Sequence, residues 1–324
     1  MKALKIIGII LGIILLLVII AGTYIKTALP DTGSAPDITI KATPERVEQG
    51  KYLANHVAVC MDCHSTRRWD LFAGPMSETA IGGGGEVFNE KMGFPGTFYA
   101  PNITPYSLGK WTDGEIFRAI TTGVNKNGKA LFPLMAYHRF GKMDKEDIYN
   151  IIAYIKTLNP VKKDIQESKA DFPVSLLINT MPKRADFHKK PSADNTIAYG
   201  GYLVNAAGCV DCHSNQKNGA VVLGTEFGGG MAFIQPNGIV RSPNITADDK
   251  TGIGKWTEKD FVSRFKLYGD ASYRPAEIPK NGLNTPMPWV MYSGMKETDL
   301  AAMYVYLKSL KPIKNKIITF ERNK

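Results

Sequence analysis

Cysteine is scarce in this chain, with four residues in 324. That is too few for a disulfide-built scaffold, so the spacing of the four must decide their use. Histidine is nearly as rare, at five residues. No Ser/His/Asp set and no pair of carboxylates can be placed as a reaction centre. Charge is missing altogether from residues 6–25, and no later stretch is long and apolar enough to span a bilayer, which excludes a multi-pass protein. Glycine runs occur at 82–85 and 228–230, but neither has the GK[ST] ending of a phosphate loop; they read as surface turns or as close approaches to a cofactor. With 44% hydrophobic and 22% charged residues, nothing is extreme enough for a collagen-like or broadly disordered chain.

What is present begins with residues 6–25, IIGIILGIILLLVIIAGTYI. At 1.5 Å per residue this run reaches about 30 Å, the thickness of a bilayer's hydrocarbon core. It is apolar on every face, unlike the stripe of a surface helix. Lys2 and Lys5 precede it and Lys26 follows, which favours the N-terminus inside and the remainder outside. The run exceeds the usual core of a cleaved signal, so an uncleaved anchor over residues 1–30 is expected, with the lipid bilayer as its partner through residues 6–25.

The rest of the chain repeats itself. GKYLANHVAVCMDCHS at 50–65 is answered by GGYLVNAAGCVDCHS at 200–214. APNITPYSLGKWTDGEIF at 100–117 is answered by SPNITADDKTGIGKWTEKDF at 242–261, and DIYNIIAYIKTLNPV at 147–161 by DLAAMYVYLKSLKPI at 299–313. The order is the same in both halves. A duplicated domain is expected, at 45–162 and 196–314, joined by a linker at 163–195 and followed by a tail at 315–324; a period this long is a tandem domain, not a solenoid. Helical periodicity dominates. Helices are expected at 49–59, 112–123 and 144–158, and again at 198–207, 257–268 and 297–310. Thr112 with Glu115 has the form of a capping box, and Pro160 ends the third helix. The fold class expected is all-α.

All four cysteines fall in Cys60-Met61-Asp62-Cys63-His64 and Cys209-Val210-Asp211-Cys212-His213. Both are C-x-x-C-H, the attachment motif of c-type haem; at this composition one chance occurrence is expected roughly 10⁻³ times. Two sulfurs three residues apart on one helical turn suit the two vinyl groups on one edge of the macrocycle. The following histidine then supplies an imidazole to the iron, and its second nitrogen needs a hydrogen-bond acceptor. Two covalently attached haem c groups are therefore expected, held by Cys60, Cys63, Cys209 and Cys212 and ligated by His64 and His213. A thioredoxin-like pair needs a βαβ setting that is absent, and a zinc site built from the two knuckles is the remaining rival.

The second axial position calls for a late methionine. Pairing the final helices without gaps sets Met135 opposite Met287 and Met143 opposite Met295. Met135 and Met287, in Pro-stiffened loops, are the expected ligands; Met143 and Met295 read as core plugs. His138 is a rival ligand, but its counterpart is Val290. His56 reads as a residue on a solvated helix face, and His188 has no evident role.

With these residues in place the chain resembles a membrane-anchored dihaem c-type cytochrome of the class I fold. PNIT…LGKWT and PNIT…TGIGKWT further resemble the cytochrome subunits of membrane-bound alcohol, aldehyde and gluconate dehydrogenases. The resemblance implies an N-terminal transmembrane helix and two tandem class I domains. It implies Asn102, Trp111, Asn244 and Trp256 near the haem edges. It also implies a first helix packed on the last through Gly50 against Tyr154, and through Gly200 or Gly201 against Tyr306. The expected function is electron transfer, not catalysis, on the outer (periplasmic) side of the cytoplasmic membrane. The expected partners are a membrane dehydrogenase or quinol-oxidising complex on one side and an oxidase or soluble cytochrome on the other. The alternative is a dihaem enzyme, a peroxidase or thiosulfate-oxidising type, with one iron open or differently ligated. The excess of 40 Lys+Arg over 30 Asp+Glu suits acidic surfaces; nucleic acid is not expected as a partner of an exported, tethered chain.

Overall fold

A computed structural model describes residues 1–217 and 219–322. Its first helix, Lys2–Thr27, is long and apolar enough to cross a membrane and buries none of its residues against the protein. In the remainder helices outweigh strands, and the three sequence blocks fall on corresponding helices in both halves.

Half one uses Pro44–Tyr52, Asp113–Thr122 and Lys145–Ile155; half two uses Thr196–Ala206, Glu258–Lys266 and Glu297–Ser309. Their starts follow local chemistry. Thr43 caps Arg46 N with Pro44 at the first helical position. Thr112 with Glu115, and Thr257 with Asp260, close complete capping boxes. The helix expected over 49–59 starts earlier, and from Leu53 to Val57 it widens into a π-helical turn. The helix expected to run to 158 ends at Ile155, because its last residues tighten: Thr157 N–H bonds the Tyr154 carbonyl and Leu158 N–H the Ile155 carbonyl.

Within each half the first and last helices cross at a glycine. A Cβ on Gly50 would lie 1.8 Å from the Asn150 carbonyl oxygen and 2.9 Å from Tyr154 Cβ. On Gly200 it would lie 2.0 Å from the Ala302 carbonyl oxygen and 3.0 Å from Tyr306 Cβ, and on Gly201 it would lie 2.9 Å from the Tyr306 ring. The backbones touch, as the resemblance implied. Around these crossings Leu53, Met61, Ile148 and Ile152 fill half one, and Leu203, Leu300, Met303 and Leu307 fill half two. Met143 and Met295 are wholly buried, the core plugs the sequence suggested.

Short antiparallel ribbons accompany the helices. Gly96–Tyr99 pairs with Val87–Phe88 and with Lys169–Ala170. Gly238–Arg241 pairs with Ala232–Gln235 and with Phe320–Arg322, and Gln216–Lys217 pairs with Ala220–Val221. The purely helical expectation omitted these strands, which are too short to show a period of two. In each half the chain leaving the last helix thus returns to pair with a hairpin. The segment expected to be a plain linker also carries a helical turn, Val174–Leu177, against the end of the apolar helix, where Asn179 Nδ2 donates to the Ile25 carbonyl at 3.3 Å.

The two halves meet through reciprocal bonds. Tyr52 Oη donates to Asp299 (2.5 Å) and accepts from Lys296 N–H (3.1 Å). At the equivalent positions Tyr202 Oη donates to Asp147 (2.7 Å) and accepts from Asp144 N–H (3.2 Å). Tyr199 adds a second bond to Asp299 and Lys190 a second bond to Asp147. The contact is therefore a pseudo-twofold interface built from one chain.

That interface should be sensitive to alkali. Burial first, and the facing aspartates second, raise the pKa values of Tyr52, Tyr199 and Tyr202 above the usual tyrosine value of about 10. A raised folded-state value stabilises fully below the unfolded pKa, and that stability is lost as pH rises beyond it. Thermal melting should fall progressively above about pH 10, and the Tyr52→Phe/Tyr202→Phe double variant should show a flatter alkaline slope. An unchanged slope in that variant would contradict the assignment.

Candidate cofactor sites

Each C-x-x-C-H lies on a one-turn helix, Cys60–Cys63 or Cys209–Cys212, entered through a left-handed residue. In half two that residue is Gly208 (φ 69°), which bears the conformation freely; in half one it is Val59 (φ 44°), which does not. A β-branched residue held there costs on the order of 1–3 kcal/mol, part of it offset by glycine's greater unfolded-state entropy, so Val59→Gly should stabilise the protein by about 1 kcal/mol. Guanidinium unfolding of the haem-loaded chain checks this, and a loss of stability would contradict it.

None of the four cysteines is joined in a disulfide. Burial pushes Cys60, Cys63 and Cys209 up to about 12 and raises Cys212 as well. Such thiols are not the ready thiolates of a redox pair. Among the described residues no three His, Cys, Asp or Glu side chains converge as a metal cluster.

The histidines are held alike. His64 N–H bonds the Cys60 carbonyl at 3.0 Å, and His213 N–H the Cys209 carbonyl at 2.9 Å. His64 Nδ1 lies 2.8 Å from the Pro101 carbonyl and His213 Nδ1 lies 2.9 Å from the Pro243 carbonyl. A carbonyl can only accept, so Nδ1 carries the hydrogen and Nε2 is the nitrogen left able to ligate a metal. Burial lowers the pKa of both rings, keeping the imidazoles neutral as ligation requires.

The prolines that supply these carbonyls open the two PNIT blocks, and the rest of each block clamps them. Asn102 Nδ2 donates to the carbonyls of Val161 (2.8 Å) and Lys163 (3.0 Å), while its Oδ1 accepts from Thr104 N–H and Oγ1. Asn244 Nδ2 donates to the Ile313 carbonyl (2.6 Å) and to Thr251 Oγ1 (3.0 Å), while its Oδ1 accepts from Thr246 N–H and Oγ1. Both asparagines thus spend their polar atoms tying the histidine-holding loop to the chain beyond the last helix. Trp111 is half-buried against the core, and Trp256 is 38% exposed.

The glycine runs prove to be buried approaches instead of surface turns. Gly84 N–H donates to the His64 carbonyl and Gly229 N–H to the His213 carbonyl, both at 2.9 Å. A Cβ on Gly84 would lie 2.6 Å from the Ala100 carbonyl oxygen, and one on Gly229 would lie 2.6 Å from that of Ser242. The acceptors and the close approaches are main-chain features, so the only signal for them in the sequence was the repetition of PNIT and of the glycines.

Met135 and Met287 are half-buried against the core in equivalent loops. The Met135 carbonyl accepts from Tyr137 N–H (2.7 Å) and that of Met287 from Trp289 N–H (2.8 Å). The Tyr137 hydroxyl, two residues beyond Met135, is buried without a protein partner, as fits a wall facing a polar group the chain itself does not supply. His138 is exposed, 3.6 Å from Asp211, and His188 is exposed beside Asp186. His56 is a correction. It does not sit on a solvated face but is half-buried between the halves, its Nδ1 2.8 Å from the Met291 carbonyl.

The neutral histidines with free Nε2, the paired sulfurs and the orphaned hydroxyl fit haem c. Comparison with known proteins agrees. Residues 197–311 match the cytochrome c family model. The chain is 28% identical over 301 residues to the cytochrome c subunit of a quinone alcohol dehydrogenase from Komagataeibacter europaeus, covering 87% of this chain and 59% of that one. It is 26% identical to the fructose dehydrogenase cytochrome subunit of Gluconobacter japonicus (82% and 52% covered). It is also 26% identical to the gluconate 2-dehydrogenase cytochrome c subunit of Pantoea cypripedii (91% and 64% covered). The chain spans less than two thirds of the length of each.

Proposed function

We propose that this chain is a single-pass, membrane-tethered dihaem cytochrome that carries electrons from a membrane dehydrogenase or quinol-oxidising complex to an oxidase or soluble cytochrome. The helix Lys2–Thr27 anchors it in the cytoplasmic membrane, with two tandem class I domains, 45–162 and 196–314, on the periplasmic side. Cys60 with Cys63, and Cys209 with Cys212, would hold one haem c each, and His64 with Met135, and His213 with Met287, would ligate the irons. Bound haem supplies reversible one-electron redox chemistry. The protein's part is to fix each imidazole through a proline carbonyl and to bury the histidine-bearing turn in a rigid loop clamp. The observation that carries this reading is the duplicated C-x-x-C-H turn with its Nδ1–carbonyl bond. The dehydrogenase side rests on the likeness to alcohol, fructose and gluconate dehydrogenase cytochrome subunits.

The test uses membranes containing the full chain. On addition of an oxidisable alcohol, sugar or sugar acid, reduced-minus-oxidised spectra should show its haem reduced, and air should restore the oxidised spectrum. A chain that stays oxidised with these substrates and with added quinol would contradict the carrier role.

A further inference from the structure

Both C-x-D-C-H turns hold an aspartate between their cysteines, and both aspartates are paired with arginine. In half one the partner is local. Arg67 Nη1 meets Asp62 at 2.8 Å, with both side chains under 10% exposed (6% and 8%). The equivalent position after Asp211 is Gln216, which is neutral and donates to the Asp211 carbonyl instead. The cation comes from the other half: Arg139 forks onto both carboxylate oxygens of Asp211 through Nε and Nη2. The Arg139 side chain is 7% exposed and that of Asp211 31%.

The docking of the halves holds Arg139 in place. It lies in the short helix Tyr137–Phe140 just past Met135, and its carbonyl accepts from Asn205 Nδ2 of half two at 3.3 Å. Its counterpart in half two, Met291, offers its carbonyl to His56 of half one. Each half therefore rests the segment beyond its late methionine on the turn that leads to the other's cysteines. Only the segment from half one carries a charge. One arrangement supplies the guanidinium from the same half and the other from the opposite half, yet both end with a cation on the same aspartate. That points to a need for the charge at the site and not to an accident of packing.

We propose that Arg139 of half one is a positioning residue of the second haem site, completing its electrostatic surroundings so that the potential of the haem at Cys209–Cys212 depends on the docked half. The proposal rests on the dihaem reading. A buried guanidinium beside the site disfavours the added positive charge of the oxidised state; its loss, with Asp211 left ionised, favours that state.

Mass spectrometry first counts the haems on the full-length protein; each variant is then titrated potentiometrically. Arg139→Gln should shift one of the two redox equilibria about tenfold toward the oxidised form, which is about 59 mV lower for one electron. Arg139→Lys should restore most of the shift. Asp211→Asn should move the same haem the opposite way. Two haems with unmoved potentials in Arg139→Gln would overturn the assignment. So would a fall in both Arg139→Gln and Asp211→Asn, the mark of simple loosening and water entry. A single haem per chain would instead overturn the dihaem reading itself.

Discussion

Replacing Met287 by alanine should lower the potential of one haem while leaving both haems attached. Attachment belongs to the cysteines and the proximal bond to His213, and none of these touches residue 287 in the reading above. In the proposed reading the late methionine would supply a thioether that favours the reduced iron; axial ligand identity spans about 0.8 V across haem proteins, so losing one thioether should cost on the order of 0.1 V or more. Met135→Ala should do the same to the other haem. The far-red band expected of His/Met iron should halve in each variant. Met295→Ala is the control. Met295 is wholly buried, so its truncation should cost about 2–5 kcal/mol of stability through a cavity and leave the potentials in place. If Met287→Ala leaves both potentials unchanged while Met295→Ala lowers one, the ligand assignment is wrong.

The second large effect is on folding. Gly200→Val should destabilise half two by about 3 kcal/mol, the upper end of overpacking penalties. The obstacle is backbone, not a flexible side chain: the added Cβ would lie 2.0 Å from the Ala302 carbonyl oxygen, and Tyr306 Cβ stands 3.0 Å away. Relief requires the first and last helices of the half to separate, which opens the packing of Leu203, Leu300 and Met303 around them. Gly50→Val should act equally on half one, where the Asn150 carbonyl oxygen would lie 1.8 Å from the new atom. Denaturant unfolding followed by helical circular dichroism measures the loss. Wild-type stability in both variants would mean that the helices do not cross this closely.

Much of this architecture was legible in the residues because the informative signals are local. Cys60 to His64 and Cys209 to His213 state their chemistry within five positions, and Thr112 with Glu115 states a helix start within four. The glycine–tyrosine crossings were anticipated through the resemblance to the class I fold, not from the residues alone. What stayed hidden depends on contacts distant in sequence or made by main-chain atoms. His56 looked solvated because its partner, the Met291 carbonyl, is 235 residues away. The Pro101 and Pro243 carbonyls that orient the histidines belong to the backbone, which no residue type announces. The resemblance places Asn102 and Asn244 near a cofactor edge, but it did not announce that they also clamp loops to the chain beyond the last helix. The ribbons at Val87–Phe88 and Lys169–Ala170 hold two residues each, too few for alternation to show.

The intact mass of the mature protein, read together with peptide mapping, tests the account most directly. It should exceed the polypeptide mass by two haems, with one porphyrin on the peptide holding Cys60 and Cys63 and the other on that holding Cys209 and Cys212. A chain with no added porphyrin, or with porphyrin on only one of the two peptides, would contradict it.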